Sequence, residues 1–434
     1  MNNHSLFQII LLAVFGSLAV AGVLIFAFAV GGNQKGTSIG KVVIWGTLDK
    51  TAVNNVLDKA GAANSDLQQV TYVQKDPSTY EQDISDALAQ GTAPDMFILS
   101  SDYAAKDEPK IYSLAYAQTS AVTFQNIFVE AANAYLGPNG IEGFPFLMDP
   151  LVLYWNRDLL SGAGYSEPPK YWEDIEDMTE KITVRDGSGA ITTATIALGT
   201  YQNIENAKAT LSAILLQKGV SITAYSTGGK LVPALSAQST GSAKQPAADA
   251  LAFYTSFADP SQNFYTWNGA MHSARSAFAA GDVALYIGYA SEASLIVAMN
   301  PNLNFAMSDM PQFKGAPRPV DFARVYAFAV PRVAANINGA LLAAQLLDSA
   351  TTSGAFSSAL GIPSVRRDTL ALPAQGYGIL FNRMAIISRT WADPDPVQTN
   401  DLFRGMIENT ISGASTITQS IERGDQQMRQ IISQ

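Results

Sequence analysis

The feature that most constrains this fold is an alternation of short apolar runs with segments of helical periodicity in the first 100 residues. Apolar runs at residues 41–46, 70–73 and 95–99 predict three buried strands. Residues 52–63 and 80–89 lie between them and place apolar side chains on one face, as amphipathic helices do. A strand–helix–strand–helix–strand order predicts an α/β lobe with a largely parallel sheet.

Length and composition limit the remaining possibilities. A chain of 434 residues is too long for one ordinary core, which predicts two lobes with an appendage. The net charge is −10 and no Lys/Arg-rich run occurs, so no nucleic-acid partner is expected. The sequence contains no cysteine and only two histidines, His4 and His272. Disulfides, thiolate catalysis and Cys-ligated zinc are excluded, and neither a metal site nor a cofactor is expected.

The N-terminal segment, residues 6–30, is almost continuously apolar, and residues 1–34 contain no Asp, Glu, Lys or Arg. A membrane span needs about 20 such residues. We therefore expect an N-terminal transmembrane helix that holds the following domain outside the cytoplasm as a single-pass anchor in the cell membrane. A cleaved signal peptide is the alternative, because residues 27–29 have the A-x-A pattern, and would leave a secreted or periplasmic protein. Residues 31–40 predict a flexible linker.

Later segments continue the α/β pattern. A helix is predicted over residues 166–182, where prolines and acids fill the first turns. Residues 274–280 predict a helix that turns at Gly281 into a strand over residues 283–287. A core helix is predicted over residues 338–347, and two helices broken at Gly413 over residues 399–432.

Six sequence motifs occur in a characteristic order. They are VVIWG at 42–46, GTAPDMF at 91–97, GFPF through LYWNRDLL at 143–160, PPKYWEDI at 168–175, FAAGDVAL at 278–285 and GIPSVRR at 361–367. In this order and spacing the chain resembles the family 1 extracellular solute-binding proteins, the group that includes maltose-binding protein.

The resemblance implies a two-lobed, periplasmic-binding-protein-like α/β fold of type II. Each lobe would be a mostly parallel sheet with flanking helices, and the ligand would lie in the cleft between them. Lobe I would hold residues 40–149 and 326–362, and lobe II residues 150–325 and 363–434. The resemblance further implies that the protein is not an enzyme. By the same analogy, its expected partners are a small solute, namely a sugar, and the permease subunits of an ABC importer.

The candidate ligand-binding residues combine aromatic rings with polar groups, since a sugar offers an apolar face and a rim of hydroxyls. Strand ends supply some candidates, because ligands in α/β sheets gather at the carboxyl ends of strands. The predicted crossovers between lobes supply Asp149, where relatives place a ligand-contacting acid, and Arg324. The full set is Trp45, Asp49, Ser101, Asp102, Tyr103, Asp149, Tyr201, Asn203, Trp267, Tyr289, Arg324 and Trp391. Trp155 and Trp172 are assigned to the core, and His272 to a cap or the surface.

Two other functions remain open. A carboxylate-only glycan hydrolase would need two acids about 5–10 Å apart, and Asp49, Asp102 and Asp149 are the available candidates. A membrane-anchored sensor or adhesin would use the same module without transport. The sequence also leaves the ligand open among mono- and oligosaccharides, polyols, phosphodiesters and peptides.

Overall fold

The first lobe begins with the predicted alternation of strands and helices. The computed structural model describes residues 39–236 and 245–433. Its first elements are β1 (Val42–Gly46), α1 (Lys50–Ala63), β2 (Val70–Gln74), α2 (Tyr80–Gln90) and β3 (Met96–Ser100). Strand β1 lies between β2 and β3 and is parallel to both, so this part of the prediction is confirmed.

The remaining helices and strands follow in chain order. They are α3 (Ala104–Asp107), α4 (Ala121–Ile127), β4 (Phe144–Asn156), α5 (Arg157–Gly162), α6 (Trp172–Ile182), β5 (Val184–Arg185), β6 (Ile191–Ile196), α7 (Ala207–Gln217), β7 (Thr223–Tyr225), β8 (Leu231–Pro233), α8 (Pro246–Ser256), α9 (Ala274–Ala280), β9 (Val283–Tyr289), α10 (Ala293–Met299), β10 (Phe305–Ser308), β11 (Asp321–Ala329), α11 (Ile337–Leu347), α12 (Ala350–Leu360), α13 (Arg367–Leu370), α14 (Tyr377–Ile387), β12 (Ser388–Arg389), α15 (Pro396–Ile411) and α16 (Ile417–Ile432).

Two long strands join the lobes. Ten strands of the described residues form one sheet in the order β2-β1-β3-β11-β4-β9-β6-β5, with β10 beside β4 and β12 beside β11. Residues 144–150 of β4 pair with β11, whereas residues 151–155 pair with β9. We call the part of the sheet with β1–β3 the first lobe and the part with β6 and β9 the second lobe. The lobe boundaries inferred from the resemblance remain a prediction.

The expectation of mostly parallel sheets is wrong at the centre of the molecule. Strand β11 is antiparallel to both β3 and β4, and β4 is antiparallel to β9 and β10. The reason is that the chain leaves the first lobe through β4 and returns through β11, so the two crossing strands run in opposite directions. The sheet is therefore mixed, with parallel pairs only away from the centre and at the short β12.

Aromatic clusters pack each side of the crossing strands. In the first lobe Phe146 and Phe328 stack with ring centroids 4.1 Å apart, and Phe356 meets Phe146 edge-on. In the second lobe the fully buried Trp172 donates its indole N–H to Gln217 Oε1 at 2.7 Å, as its assignment to the core predicts. Trp155 is only partly buried. Both lobes therefore hold their own apolar core beside the shared strands.

Some predicted helix ends differ from the observed ones. Helix α6 begins at Trp172 rather than Ser166, because the chain enters it through the extended residue Tyr171, with φ −123°. The backbone N–H of Tyr171 is bonded to Asp174 Oδ2 at 3.1 Å. Helix α15 begins at Pro396, ahead of the predicted Thr399, while the break at Gly413 is confirmed by its φ of +72°.

The predicted transmembrane segment, residues 6–30, lies outside the described residues, as do residues 31–38 of the linker. Within the part of the chain that the structure describes, no helix combines the length and apolar character of a membrane span.

Candidate functional site

A cavity of about 340 Å³ lies where the crossing strands meet the two lobes. Its walls come from the residues after β3, the end of β9, the start of β11, helix α7 and the segment that leads into α15. The lining residues are Asp102, Tyr103, Glu205, Asn206, Lys208, Ala209, Ser212, Tyr289, Phe322, Arg324, Thr390, Trp391, Asp393, Pro396, Val397 and Asn400. Both lobes therefore contribute to one concave site.

Arg324, on the crossing strand β11, connects the two lobes in this cavity. Its Nε donates to Asp102 Oδ2 in the first lobe at 2.7 Å. Its guanidinium lies over the ring of Tyr289 in the second lobe, 4.6 Å from the ring centroid. Charge-assisted hydrogen bonds and cation–π contacts are strongest where water is partly excluded. Arg324 is therefore held between one partner from each lobe.

The second-lobe wall centres on Lys208 of α7. Its ammonium donates to Asp393 Oδ2 at 2.6 Å, to Thr399 Oγ1 at 2.7 Å and to the Pro396 carbonyl at 3.4 Å. It also lies 5.4 Å from the ring centroid of Trp391. Burial raises the pKa of Asp393, and the charge of Lys208 opposes that rise. This network fixes the segment that carries Trp391 against α7.

A buried carboxylate positions the end of β9. Glu292 Oε1 accepts from the Tyr289 backbone N–H at 3.0 Å and from Asn206 Nδ2 at 2.7 Å. Its Oε2 accepts from Tyr286 Oη at 2.6 Å and from Arg275 Nε at 2.7 Å. These bonds fix the backbone of Tyr289 at the end of β9, and its side chain lines the cavity wall.

Asp149 lies behind the cavity on β4, directly across the ladder from Arg324. It is 1 % exposed, and its two oxygens accept from the backbone N–H and the hydroxyl of Ser291 at 2.9 and 2.6 Å. Burial raises the pKa of Asp149 to about 6, while the Ser291 bonds and the charge of Arg324 act in the opposite direction. Asp149 therefore joins the crossing strand to the turn after β9.

Residues 389–395, from the end of β12 to the start of α15, are bonded to both lobes. In the first lobe Lys106 pairs with Asp395 at 3.0 Å, and Glu130 pairs with Arg389 at 2.8 Å. In the second lobe the Trp391 indole N–H donates to Ser212 Oγ at 3.2 Å. This segment is a third connection between the lobes, beside β4 and β11.

Comparison with known proteins identifies the type of molecule. A model of the bacterial extracellular solute-binding protein family matches residues 55–373, which is most of the chain. The chain belongs to this family. The resemblance inferred from the motifs is thereby confirmed, and the family places this solute-binding protein outside the cytoplasm.

Solved structures show the same two-lobed fold. The cyclic α-maltosyl-1,6-maltose binding protein of Arthrobacter globiformis has a TM-score of 0.73 at 14% identity, covering 90% of this chain and 98% of that one. An ABC transporter solute-binding protein of Thermotoga lettingae, bound with α-D-tagatose, has a TM-score of 0.67 at 17% identity, covering 91% and 100%. The maltotriose-binding protein of Thermus thermophilus has a TM-score of 0.66 at 16% identity, covering 90% and 100%. These matches are binding proteins, and at such identities they establish the fold.

Several predicted residues of the solute-binding protein meet at the cavity. Asp102, Tyr103, Tyr289, Arg324 and Trp391 all line it. Two other predicted residues, Ser101 and Tyr201, are neighbours of lining residues, Ser101 in sequence and Tyr201 through a hydrogen bond. The Ser101 hydroxyl accepts from the Val325 backbone N–H at 3.0 Å, and Tyr201 Oη donates to the lining residue Asn400. The structure thus brings together candidates that are up to 290 positions apart in sequence (101 to 391).

Trp267 and Asn203 lie instead inside the second lobe. Trp267 is completely buried, and its indole N–H is bonded to Thr200 Oγ1 at 3.1 Å. Asn203 Nδ2 donates to the carbonyls of Asn268 and Met271 at 3.0 and 3.1 Å. The expectation that Trp267 covers a ligand face is not met in this structure, because its ring faces the core.

Trp45 and Asp49 also lie outside the cavity lining. The Asp49 side chain caps α1 by accepting from the Ala52 backbone N–H at 2.8 Å. Trp45 is partly buried, and the Lys75 ammonium lies 3.7 Å from its ring centroid. Trp45 lies near the end of β1 and Asp49 follows that strand, but β3 and not β1 is adjacent to the crossing strand β11. The residues after β3 therefore reach the cavity.

Sequence reasoning missed several polar residues of the lining: Glu205, Asn206, Lys208, Thr390, Asp393 and Asn400. One signal was available in α7, where Lys208 and Ser212 are four residues apart and so share a helix face. A second signal was the Asp393-Pro394-Asp395-Pro396 run, which indicates a constrained loop.

Proposed function

We propose that this solute-binding protein captures a carbohydrate in the cavity between its lobes and presents it to the permease subunits of an ABC importer. The observation that carries the proposal is the composition of the cavity. It combines the rings of Tyr103, Tyr289 and Trp391 with carboxylate, amide and cationic side chains from both lobes. Flat rings suit the C–H face of a sugar, and the polar groups suit its hydroxyls.

The size of the cavity favours a small carbohydrate. Ligand pockets occupy roughly 300–1,000 Å³, and this cavity of about 340 Å³ is near the lower limit. A mono- or disaccharide therefore fits the proposal better than a long oligosaccharide. The solved relatives bound with α-D-tagatose and maltotriose support a carbohydrate as the class of ligand.

Binding without catalysis is also part of the proposal. A glycan hydrolase pairs one protonated acid with one ionised carboxylate. Here Asp102 is bonded to Arg324 at 2.7 Å and Asp393 to Lys208 at 2.6 Å. A carboxylate that is ion-paired with a cation is poorly suited to donate a proton. The arrangement therefore supports recognition of a ligand.

The function is tested by thermal unfolding and calorimetry against a panel of neutral mono- and disaccharides. A ligand that binds only the native state adds about 2.7 kcal/mol of stability at 100 times its Kd, so at least one sugar should raise Tm by several degrees. Tyr103→Ala should then weaken binding by about 2 kcal/mol, roughly thirtyfold. Tyr112→Ala is the matched control, because Tyr112 belongs to the same lobe but lies outside the lining. Absence of a shift with every sugar would contradict the proposal.

We also propose that residues 6–30 anchor the protein in the membrane. The proposal is supported by the length of the apolar run, which exceeds the 7–15 residues usual in a signal peptide. Protein extracted from the membrane fraction of cells should have an intact mass that includes Met1. A mature N-terminus at Val30 would instead show that the segment is a signal peptide and is removed.

A further inference from the structure

Both cations that line the cavity are already bonded to acids. Arg324 donates to Asp102 at 2.7 Å, and Lys208 donates to Asp393 at 2.6 Å. A lysine ammonium has three donors, and those of Lys208 are directed at Asp393, Thr399 and the Pro396 carbonyl. Lys208 therefore stabilises the wall of the cavity and has no donor left for a ligand anion.

The net formal charge of the residues that line the cavity is slightly negative. Its lining contains the acids Asp102, Glu205 and Asp393 but only the bases Lys208 and Arg324. Asp149 adds a further carboxyl group behind Arg324. Lys106, beside the lining residue Tyr103, is paired with Asp395 at 3.0 Å. A ligand anion would thus lose its hydration without meeting an uncompensated cation among the described lining residues.

Arg324 would be an anion receptor if Asp102 did not occupy it. A guanidinium matches the planar geometry of a carboxylate or phosphate with two parallel hydrogen bonds. Asp102 already accepts from Nε at 2.7 Å, while Arg324 still lines the cavity in which the neutral hydroxyls of a ligand would lie. The Asp102 and Arg324 side chains are 24 % and 34 % exposed, so both lie at the accessible side of the cavity.

We propose that Asp102 is a specificity-determining residue that neutralises Arg324 and so makes the cleft select neutral polyhydroxylated solutes over those that carry a carboxylate or phosphate. The inference rests on the proposed function and narrows its class of ligand. Replacing Asp102 with Asn keeps the shape of the side chain but removes the charge that compensates Arg324. The variant should fold, because Asp102 is partly exposed and lies in a loop.

The test compares sugars with their acidic counterparts by titration calorimetry: glucose with glucuronate, galactose with galacturonate and mannose with mannuronate. The parent protein should bind the neutral member of a recognised pair at least tenfold more tightly. Asp102→Asn should lower the ratio of the neutral-sugar affinity to the uronate affinity by tenfold or more. Asp401→Asn is the matched control, because it removes the same charge from an exposed acid of α15 that is paired with Arg404, outside the lining. The control should keep the parental ratio.

Each outcome has one meaning. The role of Asp102 would be overturned if the parent protein bound the uronates more tightly than the neutral sugars. It would also be overturned if Asp102→Asn and Asp401→Asn gave equal ratios of neutral-sugar to uronate affinity. Either result would leave carbohydrate binding intact. If none of these six sugars and no member of the neutral panel bound to the protein, the proposed function would be contradicted, and this inference with it. A ratio of neutral-sugar to uronate affinity that falls in Asp102→Asn but not in Asp401→Asn supports the proposal.

Discussion

Trp267→Ala is expected to lower the free energy of unfolding by about 3–5 kcal/mol and to leave the ligand affinity of the folded protein unchanged. The indole is completely buried in the second lobe, and its N–H is bonded to Thr200. Truncation would leave a void in a close-packed core and remove the hydrogen bond from the indole to the Thr200 hydroxyl. Urea unfolding measures the first effect, and calorimetry with a sugar identified in the panel measures the second.

Two further variants make this prediction specific. Trp267→Phe keeps most of the buried volume and should cost less than the alanine variant. Trp45→Ala, which removes a partly exposed indole of the first lobe, should be milder than Trp267→Ala. If Trp267→Ala instead reduced affinity without reducing stability, the ring would be a ligand platform after all, as the sequence suggested.

The pH dependence of stability should change in Asp149→Asn. Burial raises the pKa of Asp149 to about 6, whereas an unfolded aspartate titrates near 3.9. The native state therefore holds this proton more tightly than the unfolded state. Its stabilising effect is complete below the unfolded pKa and is lost as pH rises through about 6. Between pH 7.5 and pH 4.5 the parent should gain about 2 kcal/mol relative to Asp149→Asn.

The comparison must be made as a difference between the two proteins. Burial also raises the pKa of Glu142 to about 8 and of Glu81 to about 7, but both proteins keep these residues. Urea unfolding at pH 4.5, 6 and 7.5 gives the difference directly. Parallel pH profiles for the parent and Asp149→Asn would show that Asp149 does not titrate in this range.

Local structure was predictable because it depends on neighbours in sequence. The glycine after α2 and the Gly281 turn after α9 were marked by residue type, and both glycines have the left-handed φ that ends a helix. The apolar run of β1 predicted a buried strand for the same reason. The helix start at Trp172 was missed because Pro168 and Pro169 suit both a first helical turn and an extended entry.

The candidate site was only partly predictable, because its members come from remote parts of the chain. Asp102 and Arg324 were expected at a strand end and a crossover, but their 2.7 Å contact depends on the pairing of β3 with β11. Trp267 and Trp391 could not be told apart by sequence context. One ring faces the core and the other faces the cavity, and that difference depends on packing.

The amino-acid sequence by itself determined the α/β character of the lobes, the family and the positions of several helices and strands. These properties follow from periodicity, turn residues and ordered motifs, which act over a few neighbouring positions. Tertiary structure alone decided the mixed order of the central sheet and the pairing of Lys208 with Asp393. It also decided which aromatic rings reach the cavity. These features depend on contacts between residues far apart in the chain, and their energies exist only once the lobes and crossing strands are assembled.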